Sequence, residues 1–150
     1  MTNRRGTLDN DNRPGGDRPV PPGGQRRRLR LVGVPKPVAR ARTFTAEALA
    51  DWSWPADPPD RHHDIVLLAA EFVANAAMHA GGPREIVLEL SEGGLRIEVS
   101  DGSTVLPAPQ SPHRPGMPGG HGLFIVKQTA DRWGAETYDQ GKTVWAEIDA

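Results

Sequence analysis

Apolar residues recur along this chain at two spacings, and the change from one to the other divides it into elements. Val38, Ala41, Phe44 and Ala48 fall three or four apart, which predicts a helix over residues 38–52. Ile65, Leu68, Phe72 and Ala76 do the same over residues 60–80, with Asp60 as a cap and Gly81-Gly82-Pro83 as a stop. The period then shortens to two. Ile86, Leu88 and Leu90 alternate with Val87, Glu89 and Ser91, and Leu95, Ile97 and Val99 alternate with Arg96, Glu98 and Ser100. Glu92-Gly93-Gly94 between these runs is a hairpin turn. A short strand is expected at residues 29–34, ahead of Pro35 and Pro37. Residues 102–120 carry Pro107, Pro109, Pro112, Pro115 and Pro118 and predict a long loop, of the length that small domains keep for function or leave disordered. A short helix over 121–131 and strands over 135–138 and 142–148, turning at Asp139-Gln140-Gly141, complete the order. Helices grouped together and then strands grouped together predict an α+β fold, a two-layer sandwich with helices on one sheet face.

Charge changes this picture at the N-terminus. Residues 1–42 hold eleven Lys and Arg against three Asp, a net +8, so the other 108 residues carry −9. Residues 1–28 have almost no large apolar side chains and are expected to be a disordered basic tail before a domain over 29–150. Such a tail suits nucleic acid or an acidic partner electrostatically. No aromatics interleave with its charges as stacking on bases would require, so a solvated tail with no specific role is the favoured reading. The chain has no cysteine, which removes disulfides and thiolate metal sites. No apolar run approaches the length of a membrane span, and no apolar stretch follows the first arginines as a secretory signal would need. A cytoplasmic protein is the expectation.

Three stretches carry candidate chemistry. Glu71, Asn75 and His79 are spaced by four and form one polar line along the border of a buried helix face. A carboxylate there can act as a general base and an asparagine oxygen can bind Mg²⁺, although a solvent-facing stripe has the same pattern. Asp101-Gly102-Ser103 ends an alternating strand, where a carboxylate can accept from an exocyclic amine; Asp before Gly is also an ordinary turn signal. Gly119-Gly120-His121-Gly122-Leu123 opens the predicted short helix, and glycines at a helix N-terminus let backbone N–H groups approach a phosphate. No Gly-Lys-Ser/Thr follows, so this is not a P-loop.

Taken in order, Glu71-x-x-x-Asn75-Ala76-x-x-His79, then Asp101, then Gly120-x-Gly122-Leu123, resemble the N, G1 and G2 boxes of the gyrase, chaperone and histidine-kinase type of ATPase. Asp131-Arg132-Trp133-Gly134 and Gly141-Lys142-Thr143-Val144-Trp145 are similar to the tail of bacterial anti-sigma-factor serine/threonine kinases. The resemblance implies a Bergerat-type sandwich with a mixed or antiparallel sheet, and ATP with Mg²⁺ as ligands. It implies that Asp101 accepts from the adenine amine, with Thr143 bonding near the same edge. It further implies that Asn75 holds the metal, Glu71 is the catalytic base, and Gly120, Gly122 and Leu123 belong to a lid over the phosphates. His79 matches a motif position and is expected to pack. One departure stands out: the first glycine box of the family is often Asp-x-Gly-x-Gly, whereas Gly102 and Ser103 follow Asp101 here, which implies a lid that closes differently. The implied activity is a serine/threonine protein kinase that regulates transcription by partner switching, with a sigma factor and a phosphorylatable antagonist as partners and a homodimer as its assembly. The alternative is a non-catalytic ATP-binding interaction module. Residues 38–52, with Arg40 and Arg42, are the expected partner surface.

Overall fold

The computed structural model describes residues 19–20, 23–56, 59–78, 81–103, 126 and 128–150. Its elements run β1 (Gln25–Arg30), α1 (Pro37–Trp52), α2 (Pro59–Ala77), β2 (Pro83–Ser91), β3 (Gly94–Asp101), β4 (Arg132–Tyr138) and β5 (Gly141–Asp149). The strands form one sheet in the order β1-β2-β3-β5-β4, and each neighbouring pair is antiparallel. This is the α+β sandwich expected from the period changes. The predicted helix over 121–131 and the long loop lie mostly outside the described residues, although Val126 is helical and fully buried.

Both helices bury one stripe against one sheet face. Ile65, Leu68, Ala69, Phe72, Val73 and Ala76 of α2 meet Ile86, Leu88, Leu95, Ile97, Val99, Ala146 and Ile148 of the sheet in a single core. Each large aliphatic side chain in that core contributes about 1.5–3 kcal/mol by leaving water. α1 buries Ala41, Thr45, Ala48 and Leu49, mostly small residues. Pro37 starts α1 with no loss, because a first-turn N–H has no partner within the helix.

Residues 25–28, expected within the basic tail, are strand instead. Strand β1 begins at Gln25, so residues 25–28 are ordered as strand, and the expected strand at 29–34 stops at Arg30. Acidic partners supplied from distant sequence explain the difference. Arg26 lies opposite Glu89 in the register and donates to its carboxylate at 2.5 and 3.0 Å, and Arg28 donates to Glu85 at 2.7 Å. Arg27 turns to the helix side, pairs with Asp51 at 2.8 Å and lies 5.2 Å from the centre of the Trp52 ring. A charge run without local apolar residues thus becomes an edge strand once α1 and β2 present their carboxylates. Residues 1–18 lie outside the described residues.

The sheet face away from the helices is polar but well packed. Trp145 lies over Gly134, where a Cβ would come within 2.9 Å of the indole, and the Arg96 guanidinium sits 4.5 Å from the Trp145 ring centre. Arg96 pairs with Glu98 at 2.5 Å and Glu147 at 2.7 Å, and Arg132 pairs with Glu147 at 2.9 Å and with Asp149. Burial alone would raise the Glu147 carboxyl, but hydrogen bonds from Arg132 and Arg96 outweigh it and hold the group low. The hydrogen bond from Arg132 likewise holds Asp149 low. Both carboxylates therefore stabilise the fold fully above their ordinary values of 4.5 and 3.8, and that stability is lost as pH falls through the lowered folded values. Arg132→Gln is expected to lower stability at pH 7 by no more than about 1 kcal/mol, because Arg132 and Asp149 are exposed and screened by solvent. Urea unfolding of both proteins across pH should show that gap closing below pH 4.5. A gap that persists unchanged into acid would assign the effect to packing instead of charge.

Candidate functional site

The candidate site gathers at one end of the sheet because of a short connection. Only residues 78–82 separate the end of α2 from Pro83, and Pro83 pairs with Asp101 at the end of β3. The last turns of α2, which carry Glu71 and Asn75, are thereby returned to the edge where β3 finishes. Glu71 and Asn75 stand one helical turn apart, both half-buried.

Asn75 has an unusual position for an amide. Its Oδ1 atom is buried and has no hydrogen-bond partner among the described residues. A buried acceptor left without a donor is costly, on the order of 1–3 kcal/mol. A hard oxygen in that state fits a cation or a donor supplied by a ligand, which is the chemistry expected of Asn75 for Mg²⁺. Among the described residues no group of three or more His, Asp or Glu could hold a metal ion.

Asp101 is 1 % exposed, and its carboxylate is not open. Lys142 Nζ donates to Oδ1 at 3.0 Å and to Oδ2 at 2.8 Å, and the Ser103 N–H donates to Oδ1 at 2.7 Å. Lys142 is itself 1 % exposed, and it stands directly opposite Asp101 in the β3–β5 register. Removal of two charges from water is expensive, and only close, well-oriented pairing offsets it. The turn that leads into Lys142 is fixed from two sides. Gly141 packs against the backbone of Asp101, and Arg84 donates to the Gln140 carbonyl at 2.7 Å.

Thr143 does not join Asp101. Alternation along β5 puts Lys142, Val144, Ala146 and Ile148 on the helix side, so Thr143 faces the other way. It pairs with Ser100 and lies beside Glu85, Val87 and Glu98, with Oγ1 buried and without a hydrogen-bond partner among the described residues. Thr143, expected near the same edge as Asp101, pairs with Ser100 on the other face, and Lys142 occupies the position that faces Asp101. The alternation alone could have located Lys142, since it is two residues before Val144 on the apolar side. His79, Gly120, Gly122 and Leu123 lie outside the described residues, as does His121 in the same loop.

Comparison with known proteins bears on this arrangement. A family model described as the histidine kinase-like ATPase domain matches residues 34–148, well over half of the chain and including both Asn75 and Asp101. No curated protein matches the chain. No described helix is long and apolar enough to cross a membrane.

Proposed function

The chain belongs to the histidine kinase-like ATPase domain family, and on that premise we propose that it is an ATP-binding regulatory kinase that phosphorylates a serine or threonine of an antagonist protein and binds a sigma factor in alternation with it. The observation that carries the reading is the buried Asn75 Oδ1, without a hydrogen-bond partner among the described residues, one turn beyond Glu71 on the same helix. In this reading Asn75 contributes the protein oxygen for Mg²⁺, and Asp101 reads the base. ATP supplies the phosphoryl group. Glu71 accepts the proton of the acceptor hydroxyl as that oxygen bonds to the γ-phosphorus and the bond to the leaving ADP breaks. Phosphoryl transfer depends mainly on positioning and charge stabilisation, so a domain of this size is sufficient. The outward side of α1, with Arg40 and Arg42 exposed, is the proposed partner surface.

The Asp101–Lys142 pair favours a second reading, a binding module in which phosphoryl transfer has been lost. Glu71→Gln separates the two. For a kinase it should leave Mg·ATP binding unchanged and slow transfer to the antagonist by about 10²-fold or more. Asn75→Ala should instead weaken Mg·ATP binding. Calorimetry with Mg·ATP and a transfer assay with labelled ATP check both. Unchanged regulation in a Glu71→Gln protein would favour the binding module.

A further inference from the structure

The base end of the proposed nucleotide site is already satisfied by the protein. To read an adenine amine, Asp101 needs a free acceptor direction toward the ligand. Both of its oxygens accept from Lys142 Nζ, at 3.0 and 2.8 Å, and one also accepts from the Ser103 N–H at 2.7 Å. Each side chain is 1 % exposed, so the pair is shut away from solvent as well as bonded. The Lys142 ammonium and an exocyclic amine have the same chemistry toward a carboxylate, since both are N–H donors. Residue 142 faces Asp101 because of strand register, in line with Val99 and Val144 on the helix side.

We infer that Lys142 is a tethered occupant of the base subsite: its ammonium holds on Asp101 the place of the purine amine, and a nucleotide enters only when the lysine has swung out. The inference rests on the ATP-binding reading above and adds to it a closed resting state. Apparent affinity then equals the intrinsic affinity reduced by the fraction of molecules with the pair open. A buried, doubly hydrogen-bonded ion pair opens rarely, because opening separates two opposite charges in the interior. A partner that raises that fraction would make nucleotide binding conditional through the same lysine.

The test is calorimetric titration of Mg·ATP into the full chain and into Lys142→Thr, with circular dichroism confirming that both are folded. Removing the competing donor should tighten binding roughly tenfold or more. Equal or weaker binding by Lys142→Thr overturns the inference and leaves the ATP-binding reading standing. Absence of binding in both folded proteins overturns both. A second measurement uses the unaltered protein, in case the variant does not fold. The chain has three lysines, Lys36, Lys127 and Lys142, so acetylation by an amine-reactive reagent can be followed at each by peptide mass spectrometry. Lys142 should react far more slowly than the exposed Lys36 in the free protein and severalfold faster at saturating Mg·ATP. A Lys142 rate that does not change when ATP is bound contradicts displacement.

Discussion

Gly141→Ala is expected to lower the thermal midpoint by about 10 °C, corresponding to roughly 3 kcal/mol for a domain of this size. A Cβ at this position would lie 2.0 Å from the Asp101 backbone oxygen, with φ at 157°. That neighbour is backbone and not the end of a flexible side chain, so relief requires the β3 and β5 ends to part. The strands that would part are those that set Asp101 opposite Lys142, so the variant should also lose order at the candidate site. Gly93→Ala is the control. Its Cβ would meet only the Ser91 hydroxyl, at 3.9 Å, and the midpoint should move little. Scanning calorimetry on the two variants decides the matter; a similar small loss in both would mean that the β4–β5 turn yields easily.

Asp101→Asn is expected to destabilise the fold by about 3–5 kcal/mol, because it removes the carboxylate that the buried Lys142 ammonium contacts at 2.8 and 3.0 Å. The effect belongs to the pair and not to the acid alone. Adding Lys142→Met should recover much of that loss, since the buried ammonium is then gone, while the amide oxygen introduced in place of the carboxylate can still accept from the Ser103 N–H. Urea unfolding of the wild type, the two single variants and the double variant forms a mutant cycle whose coupling energy isolates the pair. Losses that simply add would show that Asp101 and Lys142 act independently, against their 2.8 Å contact.

The two predictions meet at a place that the sequence only half discloses. Asp101 is legible as a strand-end carboxylate, and Glu71 and Asn75 as one line on a helix, because strict periods fix which side chains share a face. That the Asn75 oxygen is buried without a partner among the described residues is not legible, since satisfaction of a polar atom depends on what packs around it. The motif assigns Thr143 to the adenine edge, whereas the register of β5 against β3 places it on the opposite face, beside Ser100. A displacement of one residue reverses the side of a sheet, so motif proximity is a weaker guide there than alternation.

The arginine run shows the same division. Composition alone suggests that residues 25–28 cannot order, as they hold three consecutive arginines and no apolar side chain. Glu85 and Glu89 of β2 and Asp51 of α1 lie 24 or more positions away in the chain, yet the fold brings each to one of those arginines.

By itself, the sequence determined the succession of two helices and the later strands, the apolar face of each, the turn at Gly93 and the order of the three nucleotide-box motifs. These follow from local period and local backbone preference, which act over a few residues. Only the tertiary structure decided that the tail joins the sheet from Gln25, that Thr143 faces away from Asp101, and that Lys142 seals the carboxylate. Each of these depends on strand register and on charges paired across more than twenty positions, and no local pattern encodes the free energy of closing such contacts.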